Sequence, residues 1–315
     1  MIVALAGGVG GAKLAFGLNR VLAPEHLAVI VNTADDFVHL GLHVSPDVDT
    51  VTYTLAGMAN REFGWGLANE TWGFMEMLER LGGPTWFRLG DHDLATNTAR
   101  TTRLASGETL TQITGDFCRR LGVSCAVLPM TDDPVQTVVH TDGGDLAFQD
   151  YFVRLRAEPK VSGFDFTGAA NARASAEVLA AFADPRLDMV VFCPSNPFVS
   201  IAPILAIEDL SEALRKSTAF KIAVSPIVGG AAIKGPAAHM MRDLGLDVSV
   251  LGIAQHYKGV IDGLIIDEID RHLLPEIHAL GLKAMALPTI MKNDDDRISL
   301  ARAVVKAGQE WASRS

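Results

Sequence analysis

Short, wholly apolar runs alternate with stretches of helical spacing along most of the chain. "IVALAG" at residues 2–7 is apolar without interruption, as a strand buried on both faces requires. "GAKLAFGLNRVL" behind it carries apolar residues at helical spacing, and "HLAVIVNTADD" is a second strand ending in polar residues. Strand, glycine turn, helix and strand in that order predict a right-handed βαβ crossover. Residues from about 50 to 120 read as mostly helical, with tryptophans and methionines on apolar faces. "VSCAVLPMTDD" returns to strand, and β-branched alternation around Asp142-Gly143-Gly144 predicts a hairpin. "DMVVFCPSNPFVS", "FKIAVSPIVGGAAIKGPA", "DVSVLGIAQHY" and "KAMALPTIMK" each read as a short strand before a loop or turn rich in Pro, Gly, Ser or Thr. The pattern predicts an α/β fold with an open, mostly parallel sheet in a single domain over 1–315. A mainly helical insertion is expected at about 50–120 and a β-hairpin excursion at about 135–160. Ligands of such sheets bind beyond the carboxyl ends of the strands, the edge these loops occupy.

Composition narrows the classes. An apolar fraction of 49% supports a sizeable core, and a charged fraction of 20% argues against disorder. The net charge of −10 weighs against general nucleic-acid binding, while leaving room for a nucleotide held by glycine amides and one or two cations. Cys118, Cys125 and Cys193 are odd in number and lack C-x-x-C spacing, which argues against a disulfide framework or structural zinc site. No basic leader precedes the first strand, and Gly, Pro or charge breaks every apolar stretch before it could span a bilayer. A soluble protein of a reducing cytoplasm, with no membrane partner, is expected.

Candidate chemistry lies in the loops. Gly7-Gly8-Val9-Gly10-Gly11-Ala12-Lys13 fits neither the dinucleotide G-x-G-x-x-G nor the P-loop G-K-[ST]. Glycines there still let the backbone approach an anion, with the helix dipole assisting, and Lys13 can supply a charge. The bland alternative is a tight turn that binds nothing. Asp35 and Asp36 end the second strand, where carboxylates suit Mg²⁺ or a ribose hydroxyl, or are simply solvated. Ser45, Pro46 and Asp47 read as a helix start with cap, first-position proline and favourable dipole charge. That leaves Asp49 without a structural account, since it lies roughly 200° around the helix from Asp47. Arg88, Asp91, His92 and Asp93 cluster with Thr96, Asn97 and Arg100; arginine there serves a phosphate or a local carboxylate equally well. Ser195 and Asn196 can read a base edge or ribose, and Gly229 and Gly230 can admit a phosphate. Neither Ser195 nor Ser225 lies in G-x-S-x-G, which argues against a serine hydrolase.

Taken together, "AGGVGGAKLAFGL", "VNTADDFVHLGLHVSPDVDTVTYTLAG", "WFRLGDHDLATNTART", "FCPSNPFVSIAPIL", "SPIVGGAAIKGPA" and "LGIAQHY" resemble the CofD/FbiA family. These are the 2-phospho-L-lactate transferases of coenzyme F(420) biosynthesis, and the likeness runs in order to about Lys292. The resemblance implies a Rossmann-like sheet with helices on both faces, Mg²⁺ dependence and a homodimer. It implies transfer of a phosphorylated small acid from a guanosine diphosphate ester to the deazaflavin Fo, releasing GMP. By the same resemblance Asp49 and Arg88 face Fo; Asn32 and Thr33 are expected beside them, Asp49 and Asp36 are the expected catalytic residues, and Asp35 and Asp36, at the end of the second strand, are the expected Mg²⁺ pair. Gly8, Gly10, Gly11, Lys13, Ser195, Asn196, Gly229 and Gly230 are expected to accommodate the guanosine diphosphate. Leu287-Pro288-Thr289 departs from the threonine-aspartate pair expected there, so that loop receives no role. The alternative is a nucleotide-binding regulator of the gluconeogenesis-factor type. It would share the glycine loop and a "TADD"-like segment, but would not be expected to carry "SPDVDT" and "WFRLGD" together.

Overall fold

A computed structural model describes residues 1–313. Its strands in chain order are β1 (Ile2–Ala6), β2 (Leu27–Val31), β3 (Phe37–His39), β4 (Leu42–Val44), β5 (Ala126–Pro129), β6 (Gln136–Thr141) and β7 (Gly144–Ala147). After β8 (Val161–Thr167) come β9 (Met189–Phe192), β10 (Phe220–Val224), β11 (Ile227–Val228), β12 (Ala231–Ala232), β13 (Gly263–Asp267) and β14 (Lys283–Leu287). Seven of them form one sheet in the order β14-β13-β10-β9-β1-β2-β5, and every pairing in it is parallel. The expected Rossmann-like architecture is therefore present.

β1 shows why a parallel strand is apolar throughout: its residues are buried on both faces. Ala4 and Ala6 face one core with Leu14 and Leu18 of helix α1 (Gly8–Val21), and with Leu300 and Val304 of the C-terminal helix Asp294–Ala312. Val3 and Leu5 face the other core, with Ile204, Ile253 and Ile277 from the helices of the second half. The strand order reverses at β1, whose register pairs Leu5 with Phe192 of β9. The chain thus leaves β1 and β9 side by side, and the crevice between them is the switch point where ligands of such sheets bind.

The insertion is helical as expected: α2 (Pro46–Leu55), α3 (Gly73–Arg80), α4 (Asp91–Ala105) and α5 (Leu110–Arg120). It is introduced by the antiparallel β3–β4 pair, which the pattern did not announce because each strand is three residues long. The predicted β6–β7 hairpin exists, and β8 joins it to make a three-stranded sheet. "DVSVLGIAQHY" is a correction: it contains a helix, Val250–His256. Its Ser249 hydroxyl accepts from the amides of Leu251 at 3.1 Å and Gly252 at 3.2 Å, and Val250, Ile253 and Ala254 bury one helical face.

Gly10 and Gly11 let α1 lie directly against the loop leaving β9. A Cβ on Gly10 would collide with the Pro194 carbonyl, and one on Gly11 with the Ser195 hydroxyl. Gly10→Ala is therefore expected to destabilise the protein by about 1–3 kcal/mol in urea melts, as overpacking does. Gly115→Ala on α5, where a Cβ meets only the far end of Arg119, is expected to be neutral or to stabilise by about 0.5–1 kcal/mol. Equal stability of the two variants would overturn this account of Gly10.

Candidate active site

The switch-point crevice is built from three chain-distant segments. Gly7 donates its amide to Ser195 Oγ at 3.1 Å, and Gly8, held at a φ of 60°, donates to Asp47 Oδ1 at 2.8 Å. Asn32 Nδ2 donates to Asp47 Oδ2 at 3.0 Å and to the Val199 carbonyl at 3.2 Å. Asp47 thus sits in the first turn of α2 while its carboxylate serves the start of α1. Ser45 also departs from its expected capping role, because its hydroxyl donates to Asp36 Oδ2 at 2.6 Å. Both side chains are drawn off by partners that come close only in the folded chain.

Four carboxylates share this region. Asp35 accepts from Thr137 Oγ1 at 3.0 Å, and Asp36 accepts from Ser45 and lies 3.1 Å from His43 Nε2. Asp49 pairs with Arg100, whose buried guanidinium also donates to Asn97 Oδ1 at 2.7 Å and the His43 carbonyl at 3.3 Å. Asp49 therefore has the structural partner that its position on the helix did not reveal. Burial pushes all four carboxyls upward: Asp35 well above the usual range, and Asp47 to about 6. For Asp49 the Arg100 charge opposes burial without overcoming it.

From Asp49 the network runs outward. Asp93 accepts from Tyr53 Oη at 2.8 Å, and burial followed by the charge of Asp49 pushes its carboxyl to about 7. Beside this network a cavity of about 240 Å³ is lined by Asp49, Tyr53, Thr96, Arg100 and Phe117, between α2, α4 and α5. The remaining members of the third cluster separate. Asp91 accepts from Thr71 and from the amides of Gly73 and Phe74, and so fixes the start of α3. Arg88 is exposed, with its guanidinium 4.2 Å from the Trp72 ring centroid. Trp86 and Phe87 before it pack edge-on against His39 and Phe37 of β3 at 5.2 and 4.8 Å.

Among the described residues no group of three or more His, Cys, Asp and Glu side chains could hold a metal ion. Asp35 and Asp36, the expected Mg²⁺ pair, turn to separate partners. However, Asp36 Oδ1 and Thr33 Oγ1 are both buried without a hydrogen-bond partner. Such orphaned oxygens fit a cation that takes one or two protein ligands and completes its shell with water and substrate phosphate.

The other expected nucleotide residues lie on the same sheet edge. Ser195 is buried against Gly7, whereas Asn196 accepts from the Phe198 amide at 2.9 Å and places Nδ2 3.3 Å from Met240 Sδ. Gly229 and Gly230 form the exposed turn between β11 and β12, with the Gly229 amide donating to Asp270 at 2.9 Å. Lys13 donates to the Met291 carbonyl at 3.0 Å. Thr289, in the loop without an expected role, donates from its amide and hydroxyl to Asp267 Oδ2 at 2.8 and 2.9 Å. Arg100, Tyr53 and Asp93 are the residues whose connection to the site could not be seen in the sequence. The available signal was the grouping of Asp93 and Arg100 with Asn97 in one polar cluster, which says nothing of the distance to Asp49.

An α/β sheet with a glycine turn at its switch point and buried carboxylates beside it has the architecture of the doubly wound folds, which bind their ligands outside the carboxyl ends of the strands. This chain belongs to the CofD family, whose profile, described as 2-phospho-L-lactate transferase CofD, matches residues 2–293. It is 39% identical over 315 residues to the phosphoenolpyruvate transferase of Streptomyces griseus, covering 98% of each chain. It is 37% identical over 306 residues to the 2-phospho-L-lactate transferase of Methanosarcina mazei, covering 97% of this chain and 100% of that one. In fold it is similar to a UPF0052-family protein from Bacillus halodurans, with a TM-score of 0.64, 16% identity, and coverage of 96% and 99%. Among the described residues no helix is long and apolar enough to cross a membrane.

Asp47 and Asp93 bind their protons more tightly in the folded chain than in the unfolded one. Their contribution to stability is thus complete below about pH 4 and is lost as pH rises through about 6 and about 7. The ligand-free protein is expected to lose melting temperature between about pH 4 and 7. Asp93→Asn, which keeps an acceptor for Tyr53, is expected to flatten that slope, recovering roughly 2–4 kcal/mol at pH 8. An unchanged slope would remove Asp93 from the account.

Proposed function

We propose that this enzyme moves a phosphorylated small acid from its guanosine diphosphate ester to the terminal hydroxyl of Fo, and that Asp49 handles the proton of that hydroxyl. Membership of the CofD family makes it a transferase of coenzyme F(420) biosynthesis. The observation that carries the residue-level reading is the buried Asp49–Arg100 pair opening on the 240 Å³ cavity between α2, α4 and α5. The relatives' names divide between phospholactyl and enolpyruvyl transfer, and phosphoglycerate differs from both by few atoms. Mass analysis after incubation with Fo and each guanylylated acid identifies the donor.

In this reading the donor diphosphate meets the amides at the start of α1 and the charge of Lys13. Above pH 6 Asp47 is itself an anion at that pole, so the glycine loop needs a further cation to hold a diphosphate. Mg²⁺, when bound by Asp36 and Thr33 with Asp35 behind them, would neutralise donor charge. The Fo hydroxyl oxygen forms the new bond to the distal phosphorus, the bond to the GMP oxygen breaks, and the hydroxyl proton passes to Asp49. Arg100 fixes the Asp49 carboxylate for that role, so the chemistry is chiefly positioning and charge neutralisation. Arg88 on Trp72 and the aromatic group of Phe37, Trp86 and Phe87 offer flat surfaces to a deazaflavin ring. We also propose a homodimer in the cytoplasm, for which sedimentation of the purified protein is the direct measurement.

Asp49→Asn is expected to cost stability, because it weakens the pairing of a buried arginine, and to slow turnover roughly 10²-fold or more per folded enzyme. GDP affinity is expected to persist. Asp49→Asn/Arg100→Gln is expected to regain stability while remaining as slow as Asp49→Asn. Recovery of turnover in the double variant would make Asp49 only the counterion of Arg100. Transfer is also expected to stop after exhaustive chelation and return with added Mg²⁺; full activity in the chelated enzyme would remove the metal from the scheme.

A further inference from the structure

Four cations from four chain-distant segments converge beside the first turns of α1. Lys13 on α1, Arg61 in the loop after α2, and Arg297 on the C-terminal helix line a small cavity of about 30 Å³ with Val9, Phe16, Thr54 and Asn60. Lys234, in the loop after β12, reaches over Gly64 beside Val9 and donates to the Phe63 carbonyl at 2.8 Å. In a chain of net charge −10 this concentration needs an explanation. Asp294 is the acid shared by two of them, at 2.8 Å from Arg61 and 3.2 Å from Arg297. Lys13 donates to a carbonyl, which is no counterion. Arg297 stacks 5.3 Å from the Phe16 ring centroid, yet its Nε is buried with no hydrogen-bond partner. Burial and the charges of Arg297 and Lys234 lower the pKa of Lys13, as expected where cations crowd without enough anion between them.

We infer that these side chains form a site for one small oxyanion, a phosphoryl or carboxylate headgroup, separate from the amides of the glycine loop. A fork-shaped guanidinium with a free N–H beside a lysine is chemistry suited to an oxyanion. Resting on the proposed transferase reading, the source is the acid end of the donor, whose charge lies beyond the diphosphate. A free inorganic phosphate has the same chemistry, and the experiment separates the two.

The probes are inorganic phosphate, GDP and the guanylylated donor acid, applied to the wild type, Lys13→Met and Arg297→Met. Arg302→Gln, an exposed change on the same helix as Arg297, controls for net charge. Phosphate is expected to raise the melting temperature of the wild type and of Arg302→Gln but of neither test variant. If the donor's acid end occupies the site, KM for the donor rises tenfold or more in both test variants, while GDP affinity stays within about twofold in Arg297→Met, the variant that leaves the diphosphate's lysine in place. Loss of the phosphate effect with unchanged donor KM assigns the site to free phosphate. A phosphate response surviving in both test variants overturns the site, and parallel losses of GDP and donor affinity in Arg297→Met overturn its separation from the glycine loop. The phosphate measurement needs no Fo transfer, so a failure of the transferase reading leaves it readable.

Discussion

Burying negative charge at the end of a parallel sheet is the constraint around which the site is arranged. Asp35, Asp36, Asp47 and Asp49 fall within one short stretch of chain, and each is removed from water with only part of its charge balanced. Arg100 is the buried cation facing them, and it pairs with Asp49. The others rely on neutral donors: Thr137 for Asp35, Ser45 for Asp36, and Asn32 with the Gly8 amide for Asp47. Because a buried carboxylate without donors is far more costly than one with them, these bonds dictate which elements must touch. They bring α2 onto the start of α1, the β6 strand onto the end of β2, and α4 onto α2.

The same constraint explains how an inserted set of helices becomes part of the site. Arg100 and Asp93 of α4 reach Asp49 and Tyr53 of α2, so the insertion is tied to the switch point by charged and hydrogen-bonded contacts as well as apolar ones. A network of this kind is specific in geometry and costly when incomplete. It leaves carboxyls whose proton affinity is raised toward neutral pH, which is a useful range for proton transfer.

The glycine loop serves two demands at once. Gly10 and Gly11 lack side chains because the loop leaving β9 occupies the space where a Cβ would stand, while Gly8 adopts a left-handed backbone so that its amide meets Asp47. Packing against the chain's own backbone therefore accounts for part of a pattern that reads in sequence both as a ligand-binding loop and as a tight turn. The negative pole that Asp47 creates there also makes cations such as Lys13 and its neighbours more valuable nearby.

Much of the fold was legible from local pattern. The unbroken apolar runs at β1, β2 and β9 reflect burial on both faces of a parallel sheet, and the Asp-Gly-Gly turn at 142–144 marked its hairpin. Three-residue strands such as β3 and β4 carry too little periodicity to be seen, and "SVLGIA" has the apolar content of a strand until Ser249 caps it as a helix. For the site, the ordered motifs placed Asp49, Asn32, Ser195 and the glycines on one edge of the sheet. They could not show that Asp47 would leave its own helix dipole for Gly8, that Asp49 would find Arg100 fifty-one residues away, or that Lys13 and Arg297 would share a cavity. The sequence by itself determined the order of strands, turns and helices, because burial on one or two faces writes a period into the chain. Only the tertiary structure decided which charges meet, because a side chain's partner depends on distances through space that no local period records.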